Sequence, residues 1–268
     1  MIGKYKMVFS DIDGTLLDST HQVRDNTRKK IKELEKKGIP FILVSARMPA
    51  GIYPIQKTVG IEAPIVAYSG GLVLDTDGRI LKSNGMPQKK AEEITESIKE
   101  KWKDICISIY SNNKWISFDD GDYWIRQEEE ITNLKCLKGD FKELLEKDTE
   151  VHKIMCMGVS EKIAEIEKKL KMIYPELSVY RSKDTYLEIM DGKALKSNAV
   201  EVLCRIKGIP IEKTISFGDN YNDIDMLKAT GMGIAMGNAP AEVKSQVEHI
   251  TLDNDREGLL YMLEKLEI

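Results

Sequence analysis

The chain has 268 residues, 42% hydrophobic and 31% charged, with a formal net charge of −4. That is a globular composition with length for a core domain and a second unit, and it offers no basic field for nucleic acid. No apolar run approaches bilayer-spanning length, and the N-terminus carries no signal-peptide pattern. The four cysteines, Cys106, Cys136, Cys156 and Cys204, form no CxxC pair, so the expectation is a cytoplasmic chain with reduced thiols and no membrane partner.

In chain order, Lys4–Ser10 reads as a buried strand and Arg24–Lys37 as an amphipathic helix with Ile31 and Leu34 on its apolar side. Ile39–Ser45 is a second strand, Pro49–Val59 a helix opening on proline, and Pro64–Tyr68 a third short strand. This βαβαβ rhythm argues for a parallel sheet covered by helices. Leu72–Leu74, the turn at Asp75-Thr76-Asp77-Gly78, and Ile80–Lys82 form a hairpin.

From about Ser83 the texture changes. Helix Gln88–Trp102 precedes a hairpin of Ile105–Tyr110 and Trp115–Phe118, then a segment of mixed character. Strand Val151–Gly158, helix Glu161–Ile173 and strands Leu177–Arg181 and Tyr186–Met190 follow. Pairs of strands between helices indicate an α+β unit with an antiparallel sheet. After Gly192 the βα rhythm returns as helix Ala194–Lys207, strand Thr214–Phe217, helix Asn222–Ala229 and strand Gly231–Met236. Helix Ala239–Gln246, strand His249–Leu252 and helix Glu257–Leu266 complete it. One α/β domain is thus interrupted by an α+β module.

Asp11-Ile12-Asp13-Gly14-Thr15-Leu16 directly follows the first strand. Residues two apart on extended backbone point to one side, so Asp11 and Asp13 stand together where the chain turns at Gly14. Two close carboxylates need a balancing charge, and a bound divalent cation supplies one. Gly218-Asp219-Asn220-Tyr221-Asn222-Asp223 also follows a strand and precedes a helix, so Asp219 takes the same topological place as Asp11. Mg²⁺ takes oxygen ligands, and Asp11, Asp219 and the main-chain carbonyl of Asp13 form a candidate set. Asp223 either orients a metal-bound water or complements the helix dipole. Ser45-Ala46-Arg47 ends the second strand, where a hydroxyl and backbone amides suit a phosphate oxygen, or simply cap a helix. Lys196 opens the helix after Gly192, where a cation opposes the dipole; Lys193 competes with it for a phosphate-binding role.

These four stretches, in this order, resemble the haloacid dehalogenase superfamily of phosphatases, most closely its Cof-like branch, in which a large α/β cap of the C2B type is inserted between the second and third motifs. Ser45 and Ala46 stand where that branch usually has threonine and glycine, Ser197 where a glycine commonly follows the lysine, and Ser69-Gly70-Gly71 in the place of Asn-Gly-Ala. The resemblance implies an α/β fold: a Rossmann-like, doubly wound parallel-sheet core of residues 1–83 and 189–268, with an inserted α+β cap at 84–188.

The resemblance also implies Mg²⁺-dependent hydrolysis of a phosphomonoester through an aspartyl-phosphate, on a small phosphorylated metabolite and in first place a sugar phosphate. Asp11 is then the nucleophile, and Asp13 first protonates the leaving alcohol and then deprotonates water. Gly14, Ser45, Arg47, Lys196 and Asn222 contact phosphate or substrate, and Asp11, Asp13, Asp219 and Asp223 serve the metal. Asn113, Trp115, Tyr123 and Trp124 are candidate cap contacts. The alternatives are a phosphomutase and a catalytically silent metabolite-binding scaffold, and a monomer is the default assembly.

Overall fold

Met7–Ser10 (β1) and Phe41–Val44 (β2) are buried at every residue, the pattern of strands that have helices on both faces. A computed structural model of the protein describes residues 5–268. The predicted first strand starts at Met7, and Lys4 lies outside the described residues. Asp25–Lys36 (α1) joins β1 to β2 and buries Thr27, Ile31 and Leu34, one stripe at helical spacing. Pro49–Val59 (α2), Ile65–Ala67 (β3), Leu72–Leu74 (β4) and Ile80–Ser83 (β5) follow.

The middle of the chain contains Gln88–Lys101 (α3), Cys106–Ser111 (β6), Lys114–Ser117 (β7), Tyr123–Thr132 (α4), Leu137–Lys138 (β8) and Phe141–Leu144 (α5). Lys153–Met157 (β9), Ser160–Ile173 (α6), Leu177–Lys183 (β10) and Tyr186–Asp191 (β11) come next. The last part runs Lys196–Lys207 (α7), Thr214–Gly218 (β12), Ile224–Ala229 (α8), Met232–Ala235 (β13), Ala241–Lys244 (α9), His249–Ile250 (β14) and Gly258–Lys265 (α10).

Some predicted elements need correction. The mixed segment after Phe118 holds α4 and α5, each opened by an aspartate cap: Asp122 accepts from Trp124 N at 2.8 Å and Asp140 from Lys142 N at 2.9 Å. The helix expected from Asn222 is a 3₁₀ turn at Tyr221–Asp223 followed by α8. The helix expected from Ala239 starts at Ala241, because the residue before Pro240 is steered away from helical backbone.

The described residues divide into two units. One comprises those up to Arg47, Ile52–Lys82 and Leu195–Ile268; the other comprises Met48–Gly51 and Ser83–Ala194. The first is built on an eight-stranded sheet of order β14-β13-β12-β1-β2-β3-β4-β5. From β14 to β3 all neighbours are parallel, and β4 returns antiparallel to β3. Met7, Phe9, Ile42 and Val44 pack with Val200 and Leu203 of α7 on one face. Each such side chain, fully removed from water, contributes about 1.5–3 kcal/mol.

The second unit has a six-stranded sheet of order β10-β11-β9-β6-β7-β8, antiparallel except at β7–β8. Ile94 and Ile98 of α3 and Ile163 and Ile166 of α6 pack on one of its faces. This is the α/β core interrupted by an α+β module that the residue pattern predicts.

Candidate active site

Because β1, β2, β3 and β12 are parallel, the residues that follow them gather on one edge of the sheet. Register pairs Ser10 with Phe217, and Asp11 N donates to Phe217 O at 3.0 Å. Asp11 and Asp219, each the first residue beyond its strand, are thereby set side by side. Carboxylate oxygens of Asp11, Asp219 and Asp223 all lie within 4.8 Å of one another.

Lys196 enters this group as the first residue of α7. Its Nζ donates to Asp11 Oδ1 and to Asp223 Oδ1, both at 2.6 Å, and its side chain is 0% exposed. Two contacts place it. A Cβ on Gly70 would lie 2.1 Å from Leu195 O, so only glycine lets the loop after β3 approach the start of α7 this closely. Asp225 Oδ2 accepts from Ser197 N at 2.8 Å and answers the open amide end of the helix. Lys193 stands outside this group, exposed, three residues earlier.

Asp223 is spoken for at both oxygens. Besides Lys196 on Oδ1, Oδ2 accepts from Asp219 N at 3.0 Å and Asn220 N at 2.9 Å, which locks the loop after β12. Asp219 is held in turn by Thr15, whose Oγ1 donates to its Oδ1 at 2.7 Å, and by Asn238, whose Nδ2 lies 3.4 Å from its Oδ2 and 2.8 Å from Gly14 O. Gly14 has φ +82°, and a Cβ there would lie 2.4 Å from Asp219 Oδ2. Both the turn and the space for Asp219 require glycine.

Asp13 turns away from this cluster. Its two oxygens accept from Arg47 Nε at 2.8 Å and Nη2 at 2.5 Å, a bidentate pair that is partly exposed. Ser45 is buried and its Oγ accepts from Arg47 N at 3.2 Å, the capping arrangement. Its carbonyl accepts from Ser69 N at 2.8 Å. Ser69 has φ +51°, rare for a residue with a Cβ, and its buried Oγ has no hydrogen-bond partner among the described residues. Asn222 lies half-buried on the turn after Asp219.

The electrostatics of the cluster are unbalanced. Three carboxylates face one ammonium. Burial pushes the Asp11 carboxyl well above its usual range; Lys196 opposes this, and Asp223 and Asp219 add to it. Burial pushes Asp219 up to about 6, with Thr15 opposing and Asp223 contributing. Burial works against the charge on Lys196, but Asp11 and Asp223 outweigh it and hold its pKa above the ordinary range. An all-oxygen donor set with surplus negative charge fits a hard divalent cation.

The residue pattern assigns no role to Thr15, Asp225 or Asn238, although Thr15 lies within Asp11-Ile12-Asp13-Gly14-Thr15-Leu16. The signal for Asn238 was its place in the loop after β13, a third strand end on the same edge.

The family model for haloacid dehalogenase-like hydrolases matches residues 8–263. A Haemophilus influenzae protein assigned as a phosphatase is 38% identical over 261 residues, covering 97% of this chain and 98% of its own. A haloacid dehalogenase-like hydrolase from Bacteroides thetaiotaomicron superposes with a TM-score of 0.88 at 26% identity, over 98% of this chain and 99% of its own. The subclass IIB sugar phosphatase BT4131 shares the fold with a TM-score of 0.82 at 22% identity, over 98% of this chain and 99% of its own. The chain belongs to the haloacid dehalogenase-like hydrolases and is a phosphatase of the Cof-like branch.

No helix among the described residues is long and apolar enough to cross a membrane. All four cysteines are free thiols.

Proposed function

We propose that the chain is a Mg²⁺-dependent phosphomonoesterase that works through an aspartyl-phosphate on Asp11, with a sugar phosphate as substrate and the second unit as the cap that selects the leaving alcohol. The observation that carries this reading is the buried Lys196, paired to Asp11 and Asp223 at 2.6 Å beside Asp219. Lys196 anchors Asp11 Oδ1 and leaves Oδ2 to attack phosphorus in line. The P–O bond to the leaving alcohol breaks, and Asp13 delivers a proton to that oxygen. For this one arm of the Arg47 fork must open, since both Asp13 oxygens are engaged. Water then attacks the acyl phosphate while Asp13 takes its proton, releasing inorganic phosphate and restoring Asp11.

Lys196, Ser45, Asn222 and the amides near Gly14 offer charge and hydrogen bonds to the phosphoryl oxygens. Asp11 and Asp219, with the main-chain carbonyl of Asp13, would hold Mg²⁺, which when bound supplies positive charge at those oxygens. Asp223, with both oxygens occupied, contributes by positioning Lys196 and the Asp219 loop.

The test is turnover of p-nitrophenyl phosphate and of a panel of phosphorylated metabolites with Mg²⁺, for the wild type and Asp11→Asn. Wild-type hydrolysis, none in the variant, and an unchanged circular-dichroism melt are expected. Activity retained in Asp11→Asn removes the nucleophile assignment.

A further inference from the structure

The loop after β3 places two costs on one residue. The first is its backbone. Tyr68, Ser69 and Gly70 have φ of +51°, +51° and +99°, whereas left-handed residues normally occur singly. Contacts with neighbouring segments hold them there. Tyr68 N donates to Arg47 O at 3.1 Å, Ser69 N to Ser45 O at 2.8 Å, and Gly71 N to Tyr68 O at 2.9 Å. A Cβ on Gly70 would lie 3.1 Å from Lys196 N as well as against Leu195, so the loop abuts the start of α7. Glycine takes such backbone without strain, yet position 69 carries a side chain.

The second cost is the hydroxyl. Ser69 is 4% exposed, and its Oγ is shut off from solvent without a hydrogen bond to another described residue. Every other buried serine among the described residues has a partner. Ser10 Oγ donates to Asp11 O at 2.7 Å, Ser111 Oγ to Glu150 O at 2.6 Å and Ser117 Oγ to Ile107 O at 3.1 Å. Ser45, Ser108 and Ser216 are likewise bonded. Native interiors seldom leave such a group unmet, and alanine at position 69 would strand nothing. Strain and an unmet polar atom on the same residue point to a function, because the fold alone gains from neither.

The surroundings of Ser69 narrow the ligand. In the sheet order β12-β1-β2-β3, the residues just beyond these strands are Asp219, Asp11, Ser45 and the loop of Ser69. Ser69 is bonded through its amide to Ser45, and its neighbour Gly70 abuts the helix start that carries Lys196. Lys196 Nζ spends two of its three donors on Asp11 and Asp223. Ser69 thus lies between a hydroxyl and an ammonium that the phosphatase reading assigns to the phosphoryl group. A charged phosphoryl oxygen is the acceptor that a further O–H donor suits there. No hydrogen bond pins Oγ in its present rotamer, so a turn about χ1 loses no partner. We infer that Ser69 donates its hydroxyl to a phosphoryl oxygen of the bound ester, a phosphate contact supplied by a fourth strand end. The inference rests on the phosphatase reading above and adds to it a residue outside the four stretches that carry the family resemblance.

Ser69→Ala removes the hydroxyl and keeps the Cβ, and Ser69→Gly relieves the backbone as well. In both, kcat/KM should fall about ten- to a hundredfold, the span of a hydrogen bond to a charged group. The factor should match on p-nitrophenyl phosphate and on phosphorylated metabolites, because all of them share the phosphoryl group. The inhibition constant of inorganic phosphate should rise over the same range. The melting temperature should stay level or rise in both variants, since the lost hydroxyl is unsatisfied in the fold. A loss confined to the metabolites, unchanged inhibition by phosphate, or a melting temperature lowered together with activity each overturn the assignment. Calorimetric titration of inorganic phosphate with Mg²⁺ into the wild type and Ser69→Ala makes the same comparison without turnover. A wild type inactive on every ester removes the phosphatase reading, whereas equal phosphate affinity in those two proteins, or none in the wild type, removes the role of Ser69.

Discussion

Lys196 and Asp223 form a 2.6 Å ion pair in which neither side chain has any exposure. Asp223 uses its other oxygen to hold the amides of Asp219 and Asn220. The ammonium that steadies Asp11 and the loop that carries Asp219 are therefore fastened by one carboxylate, and disturbing either partner disturbs the whole strand edge.

Lys196→Ala strands Asp11 and Asp223 as buried carboxylates without their cation. Breaking a buried pair in this way costs about 3–5 kcal/mol. Denaturant unfolding should show that loss, and kcat should fall by about a hundredfold or more, as when a charge-stabilising donor is removed. Lys193→Ala, at an exposed position, should stay within about 0.5 kcal/mol and keep its activity. Equal effects from the two variants would falsify the assignment of Lys196.

Gly14→Ala forces a Cβ onto backbone at φ +82° and to within 2.4 Å of Asp219 Oδ2. Strain of this type costs about 1–3 kcal/mol. The displaced Asp219 should raise the Mg²⁺ concentration for half-maximal turnover. A thermal melt and an Mg²⁺ titration of activity measure the two effects separately, and an unchanged titration would detach Asp219 from the metal.

The surplus of carboxylates predicts a pH dependence of the metal-free protein. The folded pKa of Asp219 is raised from 3.8 to about 6, so between those values the folded state holds more protons than the unfolded one. Stability therefore falls as pH rises through that window, by up to about 3 kcal/mol from this group. Asp219→Asn should flatten that slope in EDTA. Added Mg²⁺ should raise the melting temperature more at pH 7.5 than at pH 5, where protons compete with it. A larger gain at pH 5 would contradict the site.

His152 gives the opposite slope. It is buried, its Nδ1 accepts from Asn112 N at 3.1 Å, and its Nε2 lies 3.0 Å from Ser83 Oγ. Burial lowers its pKa from 6.5 to about 4, with Glu150 opposing. Between those values the unfolded chain binds a proton that the fold refuses, so stability is lost as pH falls through the window, by about 3 kcal/mol at most. Calorimetric melts of Asp219→Asn, in which the opposing slope is removed, should show this loss from pH 7 to pH 4.5, and a shallower one when His152→Gln is added. Parallel curves would place the acid sensitivity elsewhere.

Much of the architecture is legible in the residue pattern because its cause is local. Strands buried on both faces must be continuous apolar runs, so Met7–Ser10 and Phe41–Val44 announce themselves, and the aspartates that end them stand out against that background. Helix α4 escapes because its apolar stripe is thin, with Ile125 alone fully buried, and its signal lies in the Asp122 cap.

Local residue pattern is enough to end two strands at Asp11 and Asp219 and to interrupt the α/β chain with an α+β module. The partners of those residues follow only from contacts through space. Position near the start of α7 does not choose between Lys193 and Lys196; the close approach of Gly70 to Leu195, the Asp225 cap and two carboxylates across the sheet edge do. Arg47 meets Asp13, and Asn238 meets Gly14, only because parallel strands align loops far apart in the chain. A charge finds its balance through space, and the distance that sets its energy is fixed only when the sheet assembles.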